Sequence, residues 1–118
     1  MKVLVIGASL NSARYSYKAI ELLRTHGHVV YTYGLKEGMV ADVSIRTTKE
    51  AYEDIDTVTM YVNPKRQVEF YDYIIGLKPK RLIFNPGTEN PEFYELLTAN
   101  HIAYEEACTL VLLTTNQF

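Results

Sequence analysis

Cysteine is nearly absent from this sequence: Cys108 is the only one among 118 residues. A lone thiol has no intramolecular partner, which excludes a disulfide scaffold and fits a reducing compartment. Long apolar runs are missing too, and none approaches the roughly 20 residues needed to cross a bilayer. The first run, Val3 to Ile6, is too short for a secretory leader and passes directly into Gly7-Ala8-Ser9-Leu10-Asn11. A cytoplasmic protein without a membrane partner is therefore expected. No sign of charge dominates, since 12 basic side chains face 14 acidic ones for a net charge of -2. Such a balance supplies no broad field for a polyanion, so nucleic acid is not an expected partner. A small phosphate-bearing ligand stays open, because local backbone geometry can hold one. What is present is ordinary for a globular chain: 47% hydrophobic and 22% charged residues, with no repeat or low-complexity tract. At this length residues 1–118 read as one domain, able to hide about two-thirds of its unfolded surface.

Short apolar runs alternate with amphipathic stretches. Val3 to Ile6 is a near-continuous branched run, the mark of a strand covered on both faces. Ser16 to His26 turns helical, with Tyr17, Ile20 and Leu23 on one side and Gly27 as the stop. Val29 to Tyr33 is rich in strand formers, and Gly34 closes it. Met39 to Ile45 reads as a short extra strand and Thr48 to Tyr52 as a brief helix. Thr57 to Val62 is a strand, after which Asn63 caps a helix with Pro64 in its first position. Val68, Tyr71 and Ile75 are expected on that helix's inner side, with an end near Gly76. Arg81 to Phe84 is the next strand. Asn90-Pro91 repeats the cap-plus-proline signal for a helix reaching about Asn100, and Ile102 to Tyr104 is a last short strand. The tail from Cys108 to Thr115 fits either helix or strand.

This alternation implies a mostly parallel five-stranded sheet wrapped on both faces, an α/β Rossmann-like three-layer sandwich. Its ligand crevice is expected beyond the carboxyl ends of the strands, where the strand order reverses. The segment Gly7 to Ser16 leaves the first strand there. A glycine directly after a strand lets the backbone turn sharply, and free N–H groups at the following helix start can cradle a diphosphate. Ser9, Asn11, Ser12 and Ser16 add polar groups and Arg14 a cation. The same residues also fit a capped turn that binds nothing. The loop lacks the dinucleotide fingerprint, because Ser9 and Ser12 stand where it has glycines. The second strand ends Tyr33-Gly34, without the acid that holds a ribose in NAD domains. NAD(P) is therefore a less favoured ligand.

Gly7-Ala8-Ser9-Leu10-Asn11, followed by Arg14 and Ser16-Tyr17, resembles the opening of the small stand-alone CoA-binding proteins, which are similar to the CoA-binding domain of the succinyl-CoA synthetase alpha subunit. Tyr61-Val62-Asn63-Pro64 sits where that family has an aromatic, two often basic residues and a proline. Asn85-Pro86-Gly87 falls near a family Gln-x-Gly segment, with Asn90 and Glu92 following, and Cys108 falls where an Arg-Cys pair is frequent. The resemblance implies CoA or an acyl-CoA as ligand. It places the diphosphate over Ser9 to Ser12 and the adenine against Tyr33-Gly34 and Tyr61 to Pro64. The thiol arm points toward Asn85 to Thr88. Lys36 and Arg14 are the first candidates for the 3′-phosphate, with Lys65 and Arg66 behind them. Three positions depart from the family pattern: Tyr33-Gly34 replaces Asn-Pro, Val62-Asn63 replaces the basic pair, and Ala107 replaces the arginine before the cysteine.

Elsewhere the residues point to structure. Cys108 follows Glu105 and Glu106, which oppose thiolate formation if close, so no catalytic residue is assigned. His26 and His28 lack companion ligands, and no metal site is expected. Tyr33 and Tyr61 suit either adenine stacking or cover for the sheet end. Lys78, Lys80 and Arg81 form a basic run at the amino end of a strand, away from the crevice. Leu112 and Phe118 are expected exposed and raise self-association. Competing functions are an NAD(P)-type or Cys108-dependent redox module and an interaction subunit with an unused pocket.

Overall fold

A computed structural model describes residues 1–118. In chain order the elements are β1 (Lys2–Ala8), α1 (Tyr15–Thr25), β2 (Val29–Gly34), β3 (Gly38–Val40), β4 (Val43–Ile45), β5 (Thr57–Met60), α2 (Pro64–Gln67), a 3-10 turn (Val68–Phe70), α3 (Tyr71–Leu77), β6 (Arg81–Phe84), α4 (Pro91–Ala99), β7 (Ala103–Glu106) and α5 (Thr109–Thr114). The five long strands form one parallel sheet in the order β2-β1-β5-β6-β7. The chain builds outward from β1, first to β2 and then to β5, so β1 and β5 flank the point where strand order reverses. No helix is long and apolar enough to cross a membrane.

The continuous apolar run of β1 is explained by its two-sided burial. Leu4 and Ile6 join one core with Phe70, Ile74, Phe93 and Leu97, beneath α3 and α4. Val3 and Val5 join the other with Ile20, Leu23 and Leu113, beneath α1 and α5. Helices on both faces of a parallel sheet make the three-layer Rossmann-like arrangement.

Several local expectations need correction. Met39 to Ile45 is an antiparallel hairpin, β3–β4, rather than one strand, because Ala41 turns the chain at φ 53°. Thr48 to Tyr52 is not helical. The Glu50 carbonyl there accepts the Tyr73 hydroxyl at 2.6 Å, and Tyr52 stacks on Tyr31. The helix begun at Pro64 is interrupted by the 3-10 turn, and its inner face is Gln67, Phe70, Tyr71 and Ile74. Val68 is instead 57% exposed. The strand from Thr57 ends at Met60, two residues early, because Tyr61 and Val62 already turn over the sheet end. The tail resolves as α5. Phe118 is not exposed: its ring lies 4.8 Å from the Arg81 guanidinium and 5.2 Å from the His28 ring, at the amino ends of the strands. Leu112 is half-buried.

Candidate functional site

At the carboxyl ends of β1, β2 and β5 the chain must leave the sheet three times within a small area. Gly7 makes the first exit possible. Its φ is +98°, and a Cβ there would lie 2.9 Å from the Tyr61 carbonyl carbon and 3.0 Å from Val62 Cγ1. Gly34 makes the second exit possible by proximity alone, since a Cβ would lie 2.5 Å from the Ala8 carbonyl oxygen. Glycine at both positions brings the backbones of β1, β2 and the β5 exit together and leaves open space above them.

That space is a cavity of about 710 Å³. Its floor is Gly7, Ala8, Gly34 and Val62, and Ser9, Leu10 and Asn11 form one wall. Arg14 and Ser16 line it from the start of α1, and Tyr33 and Lys36 from the end of β2 and the loop beyond. Tyr61 lines it from the β5 exit. Twelve of the residues singled out from sequence thus meet at one opening. The other six do not line it. Ser12 is exposed beside the loop. Asn63 and Pro64 serve α2, where the Asn63 side chain accepts the Arg66 backbone N–H at 3.0 Å. Asn85 is buried, and its amide donates to Thr59 Oγ1 at 2.7 Å and to the Met60 carbonyl at 2.8 Å. Its own oxygen accepts the Thr109 N–H at 2.9 Å, so its polar atoms are committed to joining β5, β6 and α5. Pro86 and Gly87 are exposed on the next turn, where the Gly87 N–H donates to Glu89.

The cavity also takes in Ala13, Tyr15, Leu35 and Arg66. In the sequence Arg66 ranks behind Arg14 and Lys36 as a phosphate candidate, and Ala13, Tyr15 and Leu35 carry no chemical signal. Arg14, Lys36 and Arg66 bring three cations from three separate elements. None forms an ion pair, and the lining contains no Asp or Glu.

The loop's own hydrogen bonds show what is left for a ligand. Ser9 Oγ accepts the Asn11 N–H at 3.1 Å, and Asn11 Oδ1 accepts the Ala13 N–H at 3.0 Å. The Arg14 N–H donates to the Asn11 carbonyl at 3.0 Å. The backbone N–H groups of Tyr15, Ser16 and Tyr17 have no partner within the chain. Arg14 stands at the cap position without a side-chain cap, and no acid occupies the first turn. The positive end of the α1 dipole is thus open to the cavity beside a guanidinium.

The two tyrosines approach from opposite faces. Tyr33 packs edge-on against Phe70 at 4.9 Å, while Tyr61 packs into the core under α1. The Tyr61 hydroxyl is buried without a hydrogen-bond partner, and burial pushes its pKa up to about 12. Cys108 does not line the cavity; it is half-buried at the start of α5.

Comparison with known proteins adds a family and a fold. A family model described as a CoA binding domain matches residues 1–114. No curated protein matches the chain. The chain is similar to a crystal structure of an uncharacterized protein with 46% identity and a TM-score of 0.95, covering 99% of this chain and 97% of that one. A conserved hypothetical protein from Pyrococcus furiosus is 25% identical with a TM-score of 0.81, covering 93% and 97% of the two chains. A protein from Thermus thermophilus, 18% identical, superposes with a TM-score of 0.86 over 99% of this chain and 90% of its own.

Proposed function

The chain belongs to the CoA-binding-domain family, and from that premise we propose that it binds CoA or an acyl-CoA in the cavity above β1 and does not turn it over. The observation that carries the reading is the pairing of the open α1 terminus with three unpaired cations around an opening that has no acid in its lining. A diphosphate suits the free N–H groups of Tyr15 to Tyr17 with Arg14 beside them, because such groups hold anions without reorganising. Tyr33 and Tyr61 offer ring surface to a nucleobase.

Two features favour CoA over NAD(P). Gly34 leaves no acid at the end of β2 for a ribose, and Ser9 and Ser12 replace fingerprint glycines. A binding role without turnover is supported by the lining itself, which has no Asp, Glu, His or Cys and pairs neither Ser9 nor Ser16 with a side-chain base.

A thermal-shift comparison of CoA, acetyl-CoA, NAD and NADP tests the proposal. A ligand at about 100 times its dissociation constant adds roughly 2.7 kcal/mol of stability, readily seen in a domain of this size. CoA or acetyl-CoA is expected to raise Tm while NAD does not. A shift with NADP alone overturns the choice of ligand. No shift with any of the four supports an interaction subunit whose cavity stays unused.

A further inference from the structure

The cavity's cations come from elements that pack on different faces of the sheet, which bears on the ligand they suit. Arg14 caps α1, which packs on the Val3 and Val5 face of the sheet. Arg66 belongs to α2, and the segment that continues from it packs Phe70 and Ile74 on the opposite, Leu4 and Ile6 face. The two guanidinium-bearing residues therefore approach the opening from opposite sides of the sheet. An anion held by Arg14 and the α1 amides leaves Arg66 for a second anionic group on the same ligand.

Arg66 is also the better anchored of the two remaining cations. Both side chains are exposed, but Lys36 lies on an irregular loop between β2 and β3. Arg66 stands on a turn fixed at both ends. Its backbone N–H is held by the Asn63 side chain. The next residue, Gln67, is fully buried and donates to the Val62 carbonyl at 2.9 Å and the Thr88 carbonyl at 2.7 Å. Its oxygen accepts the Asn90 amide at 2.9 Å. A guanidinium presents a planar fork that matches a phosphate, and here it extends from a backbone that is already fixed. Lys65, its neighbour in sequence, does not line the cavity.

We infer that Arg66 is a specificity-determining residue, which recognises a phosphomonoester separate from the diphosphate and so selects a 3′-phosphorylated nucleotide over its dephosphorylated form. This rests on the CoA reading above. It also accounts for the missing basic pair at Val62-Asn63, since the charge reaches the opening from the first turn of α2 instead.

Isothermal titration with CoA and 3′-dephospho-CoA tests it in wild type, Arg66→Gln, Arg66→Lys and Lys65→Gln. Wild type is expected to bind CoA at least about tenfold more tightly, a difference of roughly 1.4 kcal/mol. Arg66→Gln lowers CoA affinity by about that factor and leaves dephospho-CoA unchanged, so the preference disappears. Arg66→Lys restores part of it, and Lys65→Gln changes neither ligand. The backbone cap on α2 does not involve the Arg66 side chain, so these variants are expected to fold, which their Tm confirms. Equal binding of the two ligands by wild type overturns the inference and leaves the CoA reading standing. So does an equal loss of both in Arg66→Gln. If neither ligand binds wild type, the CoA reading falls, and the inference falls with it.

Discussion

The backbone of Gly7 and the backbone of Tyr61 touch: a single methyl group on Gly7 would stand 2.9 Å from the Tyr61 carbonyl carbon. This contact joins the β1–α1 loop to the β5 exit and forms the bottom of the cavity. The strand register between β1 and β2 also shifts here, between Ile6 and Ala8. Gly7→Ala combines a left-handed backbone with a backbone clash, and its expected cost is about 2–4 kcal/mol. A urea melt checks this. A loss under 0.5 kcal/mol would show that the loop relaxes freely and that the cavity floor is not set by this contact.

Asn85 supports the same end of the sheet from within. Three of its hydrogen bonds reach β5 and the start of α5, and Thr59 and Thr109 complete the cluster with a 2.7 Å hydroxyl pair. Removing the amide strands buried polar groups, each costing about 1–3 kcal/mol. Asn85→Ala is expected to lower stability by about 2–4 kcal/mol while the folded fraction keeps its affinity for CoA. A ligand-contacting Asn85 gives the opposite result, near-normal stability with weakened binding.

Asn11→Asp separates charge from structure. The side-chain oxygen at position 11 accepts the Ala13 N–H, and a carboxylate keeps that bond. The new charge joins the cavity lining beside the open α1 terminus, where the proposed diphosphate would lie. Stability is expected to stay within about 0.5 kcal/mol of wild type, and CoA affinity to fall at least about tenfold. The loss should shrink as salt is raised. Unchanged affinity at low salt would move the diphosphate off this loop.

How much of this was legible beforehand depends on which physics left a mark in the residues. Burial on both faces made β1 and β6 continuous apolar runs, and the Asn-Pro pairs at 63–64 and 90–91 fixed two helix starts. The inner face of α2 and α3 was hidden because its first member is Gln67, a polar side chain whose partners lie on distant segments. Val68 looked like core and is mostly exposed. The β3–β4 hairpin was hidden because its turn uses Ala41 rather than glycine. Within the site, the loop after β1 was legible from its glycine and small polar residues. The place of Arg66 in the cavity lining was not, because it depends on where α2 sits relative to the sheet. Asn85 stands out through the family resemblance, whereas its hydrogen bonds to β5 and the start of α5 depend on the packed sheet and leave no mark in the sequence.

Tyr61 supplies the alkaline prediction. Its buried hydroxyl has no partner, and burial pushes its pKa from an ordinary 10.0 to about 12. Below about pH 9 the group is protonated in both folded and unfolded chains and contributes almost no pH dependence. From about pH 9 to about 12 the unfolded chain releases the proton while the folded one largely retains it. Stability is therefore lost as pH rises through that window, at up to about 1.4 kcal/mol per pH unit for this one group. Tyr61→Phe removes both the orphaned hydroxyl and the titration. At pH 8 the variant is expected to be equal to wild type or more stable by about 1 kcal/mol. Urea midpoints at pH 9, 10 and 11 should diverge, with wild type falling faster than the variant. Parallel lines would mean that the hydroxyl finds a partner or reaches solvent, and a clear loss of stability at pH 8 would mean that it makes a hydrogen bond worth keeping.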